Sequence, residues 1–215
     1  MRLSTIEYGS FLSYSPWGDS EAAMQSRTVR TQLKGDEHLR PQNISMSELI
    51  AKRIKQDLEK LPFRNLLTEN TILVPAPSSS LLQRNSLWVP QRLARALVKM
   101  GLGKNFVVCL RRAYPIRKAS TSPPEDRPKA KEHYDSMEIV NILDKPEEIL
   151  LVDDVVTRGS TILGAANKLA DAFPTARIRA FAAMRTISNP DEFQKIIDPC
   201  IGTIELRGID TFRRP

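Results

Sequence analysis

Two adjacent carboxylates, Asp153 and Asp154, close an apolar run and lead into a cluster of hydroxyls around one glycine. The stretch reads Glu148-Ile-Leu-Leu-Val-Asp-Asp-Val-Val-Thr-Arg-Gly-Ser-Thr161. A buried strand that ends here places both acids at its carboxyl edge, where open α/β sheets bind their ligands. Gly159 permits a tight backbone path, so that successive N–H groups of residues 157–161 converge on one anion. The amino end of a following helix adds unpaired donors and its dipole. Thr157, Ser160 and Thr161 supply hydroxyls, and Arg158 supplies a cation. Carboxylates beside a phosphate repel it unless they have other work. Accepting hydrogen bonds from vicinal sugar hydroxyls is one such task. Helping to hold a hydrated Mg²⁺ is another, since that ion prefers oxygen ligands and keeps several waters. A phosphorylated sugar is therefore the expected ligand, with Asp153 and Asp154 on its ribose and metal side.

The elements that must position these groups follow from periodicity. Residues 149–152 form a continuous apolar run of the kind buried on both faces of a parallel sheet. A helix is expected from about Ser160 to Ala172, with Ile162, Leu163, Ala166 and Leu169 facing inward. Residues 71–75 read as a strand ending in the turn-like APSSS, residues 87–100 as a helix stopped by Gly101, and residues 106–110 as another strand. Ser45 with Glu48 makes a capping box ahead of a helix bearing Leu49, Ile50, Ile54, Leu58 and Leu61. Further strands are expected at residues 137–142, 179–184 and 202–206. The alternation predicts a doubly wound α/β fold with a mostly parallel sheet. The first residues (YGSFLSYSPWGDS) are polar and read as irregular, followed by a helix over 21–33. Residues 1–45 are expected to form a hood-like extension, and residues 46–215 the α/β domain.

One segment does not read as a packed element. Residues 111–134 carry Pro115, Pro123, Pro124 and Pro128, with Arg111, Arg112, Arg117, Lys118, Arg127, Lys129 and Lys131. A loop of this length inside a compact domain is usually functional or disordered, and a mobile lid over the site is expected here, with Lys118 and Arg127 on phosphate. A solvated charged loop is the alternative. His38 and His133 stand alone and are expected at the surface. Cys109 and Cys200 are too few for a zinc module or a disulfide framework.

Composition bounds the rest. The 215 residues are 41% hydrophobic, with 32 basic and 25 acidic side chains, a net charge of +7 and a pI near 9.6. No run approaches the roughly 20 apolar residues of a membrane-spanning helix. The start, MRLSTIEYGSF, lacks the apolar stretch of a secretory leader, so a cytoplasmic protein is expected. The basic balance supports an anionic partner without naming one: a polyphosphate substrate, a nucleic acid and a merely soluble basic surface all fit. No helix-turn-helix or aromatic-rich basic sheet supports nucleic acid alone. Self-association is left open.

The stretch at 148–161 resembles the signature of type I phosphoribosyltransferases, which use phosphoribosyl pyrophosphate (PRPP). The resemblance implies that Asp153 and Asp154 hold the ribose 2- and 3-hydroxyls and bring Mg²⁺, while Thr157, Arg158, Gly159, Ser160 and Thr161 wrap the 5-phosphate. Members acting on 6-oxopurines carry an acid where Thr157 stands, so hypoxanthine or guanine is disfavoured as acceptor. Arg158 replaces a usually small residue. VPAPSSS at 74–80, with Arg84 and the helix around Gln91, is similar to the pyrophosphate loop of the ComF group, and it implies pyrophosphate contacts from Ser78, Ser79 and Arg84. The zinc module that often precedes ComF-like domains is missing, which weakens any link to DNA uptake. The function implied is transfer of 5-phosphoribosyl to a nitrogenous acceptor. A non-catalytic PRPP-binding or nucleic-acid-associated component of a larger assembly is the alternative. On either account, Gly159→Val is expected to abolish PRPP binding and leave the fold largely intact.

Overall fold

The computed structural model describes residues 1–41, 43–81, 83, 85–118, 122–141 and 146–215. In chain order the elements are β1 (Thr5–Tyr14), α1 (Glu21–Gly35), β2 (His38–Leu39), β3 (Ile44–Ser45) and α2 (Met46–Asp57). Then come β4 (Ile72–Pro75), α3 (Val89–Lys99), β5 (Asn105–Phe106), β6 (Leu110–Arg112), α4 (Ala130–Asp135) and β7 (Met137–Ile139). The chain finishes with β8 (Glu148–Val156), α5 (Ser160–Ala172), β9 (Arg177–Thr186), β10 (Ile197–Arg207) and β11 (Asp210–Arg214). Seven strands form one sheet in the order β11-β10-β1-β9-β8-β4-β5. The five from β1 to β5 run parallel, and β10 and β11 add an antiparallel margin. This is the expected α/β fold with a mostly parallel sheet and helices on both faces.

Strand alternation sorts the core into two layers. Leu73, Leu150, Val152 and Phe181 pack with Leu33 of α1, Ile50 and Ile54 of α2, and Leu93 and Leu97 of α3. Val74, Ile149, Leu151, Ala180 and Ala182 pack on the other face with Ile162, Leu163, Ala166 and Leu169 of α5. The central run 149–152 serves both layers and is at most 1% exposed. Local signals behave as anticipated. The Ser45–Glu48 capping box opens α2, and Gly101 ends the turn after α3 with φ +70°. Among the described residues no helix is long and apolar enough to cross a membrane.

The polar beginning is not irregular. Residues 5–14 form an interior strand, parallel to β9 on one side and antiparallel to β10 on the other. Its serines hide the pattern because their hydroxyls are satisfied inside: Ser13 Oγ donates to Lys195 O (2.7 Å) and Ser10 Oγ lies 3.3 Å from Cys200 Sγ. Gly9 is required there, since a Cβ would come within 2.6 Å of Phe63. The 106–110 strand is also different. Only Asn105–Phe106 joins the main sheet, while Leu110–Arg112 pairs with Met137–Ile139 as a separate two-stranded ribbon.

Candidate functional site

β8 carries the acidic pair to the carboxyl edge of the sheet. Consecutive strand residues point to opposite faces, so Asp154 follows Leu150 and Val152 towards α1, and Asp153 follows Ile149 and Leu151 towards α4 and α5. Asp154 is buried, and both its oxygens accept from Lys34 Nζ of α1 at 2.8 and 2.7 Å. Its Oδ1 also accepts from the Val155 amide. Asp153 Oδ1 accepts from the Asp154 amide at 2.9 Å. Burial, followed by the charge of Asp154, pushes the Asp153 carboxyl from its ordinary 3.8 up to about 7, with Lys34 acting the other way. Lys34 is a residue that sequence reasoning missed. It lies 120 positions upstream, and nothing but its place in the last turn of α1 sets it apart.

The turn after β8 is ordered by the protein itself. Gly159 caps α5 at φ +87°, in the left-handed region. A Cβ there would approach three carbons of the buried Ile204 at 2.6 to 2.8 Å. Gly159→Val would therefore disturb the fold, contrary to the expectation of an intact one. Thr157 Oγ1 lies 3.0 Å from Thr186 Oγ1, Ser160 Oγ 2.8 Å from Thr211 Oγ1, and Thr161 Oγ1 3.4 Å from His133 Nε2. Arg213 of β11 donates to Thr157 O at 2.8 Å, to Thr186 O at 2.5 Å and to Tyr8 Oη at 2.7 Å. The side chains thus brace the turn, and the first amides of α5, which have no intrahelical acceptor, remain its natural anion donors. Thr157 and Arg158 are exposed.

The second turn sits beside the first because β4 and β8 are neighbours, with Pro75 opposite Val152. The Ala76 amide donates to Val152 O at 2.8 Å, and buried Trp88 Nε1 donates to Ala76 O at 2.8 Å. Ser78 and Ser79 are half-buried. Ser78 O accepts from Arg112 Nε (2.8 Å) and Ser79 O from the Ile116 amide (3.0 Å). Ser78, Ser79, Asp153, Asp154 and the 157–161 turn therefore share one edge of the sheet. Arg84 lies outside the described residues.

Residues 111–134 depart from the expectation of an unpacked segment. Arg112 is buried in β6, and α4 buries Ala130 and His133. His133 is accordingly no surface histidine. Cations of this stretch are matched rather than mutually repelling: Arg111 pairs with Glu138 at 2.6 Å, Arg117 with Asp126 at 3.4 Å, Lys129 with Asp210 at 2.5 Å and Lys131 with Asp135 at 2.6 Å. Asp126 within the segment, and Asp135, Glu138 and Asp210 from beyond it, explain the difference. Arg127 is half-buried and donates to Ser122 O at 3.3 Å, while Lys118 is exposed and its carbonyl accepts from Ser122 Oγ. The part of the expected lid at 119–121 lies outside the described residues. His38 is exposed, Cys109 is buried and Cys200 half-buried.

Among the described residues, no group of three or more His, Cys, Asp or Glu gathers as a metal-holding cluster. The two carboxylates point to opposite faces of β8, and both oxygens of Asp154 accept from Lys34. Asp153 could accept from the waters of a hydrated cation.

No protein-family model matches the chain, and no curated protein matches it. Solved structures similar to it include an adenine phosphoribosyltransferase from Saccharomyces cerevisiae, complexed with an imino-altritol bisphosphate and adenine, at 20% identity. That alignment covers 74% of this chain and 89% of the other, with a TM-score of 0.36. A hypoxanthine phosphoribosyltransferase from Trypanosoma cruzi aligns at 15% identity over 85% of this chain and 92% of its own, with a TM-score of 0.35. A hypoxanthine phosphoribosyltransferase from Staphylococcus aureus aligns at 9% identity over 66% and 73%, with a TM-score of 0.36. Likeness at this level does not reach activity.

Proposed function

We propose that the protein binds PRPP at the carboxyl edge of β8 and β4 and transfers its 5-phosphoribosyl group to a nitrogenous acceptor, releasing pyrophosphate. The observation that carries this reading is the meeting of two turns on adjacent parallel strands: residues 157–161, with a left-handed glycine at a helix amino end, and residues 76–80, held by Trp88 and Arg112. The first suits the 5-phosphate and the second the diphosphate. Asp153, half-buried between them, accepts from a ribose hydroxyl, and Lys34 pairs with Asp154 beside it.

Breaking the C1–O bond develops positive charge on the ribose and negative charge on the departing diphosphate. The work of the chain is then positional and electrostatic. The amides of residues 157–161 fix the 5-phosphate, Asp153 orients the ring, and the 76–80 turn holds the diphosphate in line. Lys118, Arg127 and Arg84 are proposed to approach that diphosphate from the flanking segments. Mg²⁺, when bound with PRPP, neutralises diphosphate charge. VPAPSSS supports a ComF-like variant of this function.

A second reading is a non-catalytic PRPP- or nucleotide-binding component whose basic surface docks on nucleic acid or another protein. The ion pair that occupies both oxygens of Asp154 favours it, because half of the acidic pair is already engaged. Calorimetry with PRPP, with and without Mg²⁺, tests both. Binding is expected in each, and Asp153→Asn should weaken PRPP more than inorganic phosphate, which has no ribose hydroxyls. Pyrophosphate release in a nucleobase screen supports catalysis. Absence of PRPP binding removes the first reading and narrows the second to a nucleotide-binding component.

A further inference from the structure

A buried relay joins the two turns, and its polarity is determined by hydrogen-bond chemistry. Arg112 donates from Nε to Ser78 O at 2.8 Å, from Nη1 to His133 O at 3.2 Å and to Ser136 Oγ, and from Nη2 to His133 Nδ1 at 2.8 Å. A guanidinium has donors only. His133 Nδ1 must therefore accept, and the neutral ring carries its proton on Nε2. Burial, then the charge of Arg112, agrees with this by lowering the His133 pKa to about 3. The protonated Nε2 faces Thr161 Oγ1 at 3.4 Å. With one lone pair taken by His133, the threonine hydroxyl keeps its own hydrogen to give away. Thr161 is the second residue of α5, so that hydrogen belongs to the same helix end as the unpaired amides. Packing holds the relay together: Gly164 lets α4 approach α5 so closely that a Cβ would lie 2.6 Å from Ala130 O and 2.7 Å from His133 Cβ.

We infer that Arg112 and His133 are positioning residues that turn the Thr161 hydroxyl into a dedicated donor to a phosphate in the 157–161 cradle and couple that cradle to the 76–80 turn. The inference rests on the proposed phosphate site and adds residues that neither turn contains.

Two measurements decide it. Long-range ¹⁵N–¹H NMR of the free protein should show His133 with Nδ1 bare and Nε2 protonated, and the Nδ1–H tautomer would overturn the relay whatever the protein binds. Calorimetry then follows inorganic phosphate and PRPP. His133→Asn retains an acceptor for Arg112 and removes the donor to Thr161, so the thermal midpoint should change little while phosphate affinity falls several-fold. Thr161→Val should lose a similar factor, Thr161→Ser should restore it, and the double variant His133→Asn/Thr161→Val should lose no more than either single one. Wild-type affinity in His133→Asn, or additive losses in the double variant, overturns the relay and leaves the phosphate site standing. A wild-type protein that binds neither probe overturns the site itself and the relay with it.

Discussion

Replacing Gly159 with alanine tests the geometry of the turn more directly than any ligand does. The added Cβ faces two separate penalties. The backbone stands at φ +87°, and a left-handed conformation costs an L-residue about 1–2 kcal/mol. The Cβ also lies 2.6 to 2.8 Å from Cδ1, Cγ2 and Cγ1 of Ile204, which is fully buried and has little room to retreat. Overpacking of that kind costs about 1–3 kcal/mol. The sum, about 2–5 kcal/mol, is a large part of the roughly 5–15 kcal/mol that keeps a domain folded. Urea denaturation should show a lower midpoint with an unchanged slope. Repeating the substitution in an Ile204→Ala background separates the terms. The side-chain clash is gone there, so Gly159→Ala should cost only the backbone part, about 1–2 kcal/mol. The difference between backgrounds is the coupling of two residues in contact. A cost below about 0.5 kcal/mol in the wild-type background, the scatter of ordinary surface changes, would refute the strained turn. Equal costs in both backgrounds would refute the contact with Ile204.

Other substitutions probe the acidic pair and the loop. Asp153, raised from 3.8 to about 7, makes the folded protein bind more protons than the unfolded chain between those values, so this group lowers stability as pH rises through that window and levels off above it. Asp153→Asn should therefore gain on the wild type between pH 5 and pH 8 in urea midpoints, and a constant difference would remove the shift. Lys34→Met leaves the Asp154 carboxylate without its cation; because the lysine side chain is 43% exposed and the aspartate 11%, the expected loss is about 1–3 kcal/mol, between surface and buried pairs. Denaturation of Lys34→Met/Asp154→Asn should recover part of that loss, and no recovery would mean that Lys34 acts elsewhere. Trypsin should cut after exposed Arg117 or Lys118 well before buried Arg112. Early cleavage at Arg112 would contradict its packing against Ser78, His133 and Ser136.

What the sequence determines by itself is local. The apolar run 149–152, the glycine at 159 and the helical spacing behind it specify strand, turn and helix within one stretch of chain, because each depends on periodicity or on a residue's own backbone preference. The capping box at Ser45 and Glu48 and the stop at Gly101 are of the same kind. Tertiary structure alone decided the rest. β1 is an interior strand despite its serines, since Lys195 and Cys200 satisfy them from nearly the other end of the chain. Asp154 is held by Lys34 and not simply open to a ligand. Arg112 and His133, read along the chain as lid cation and surface histidine, become a buried hydrogen-bonded pair because α4 docks against Gly164 of α5. Burial and partner choice belong to contacts between distant segments, and no pattern of neighbours along the chain encodes which distant group will arrive.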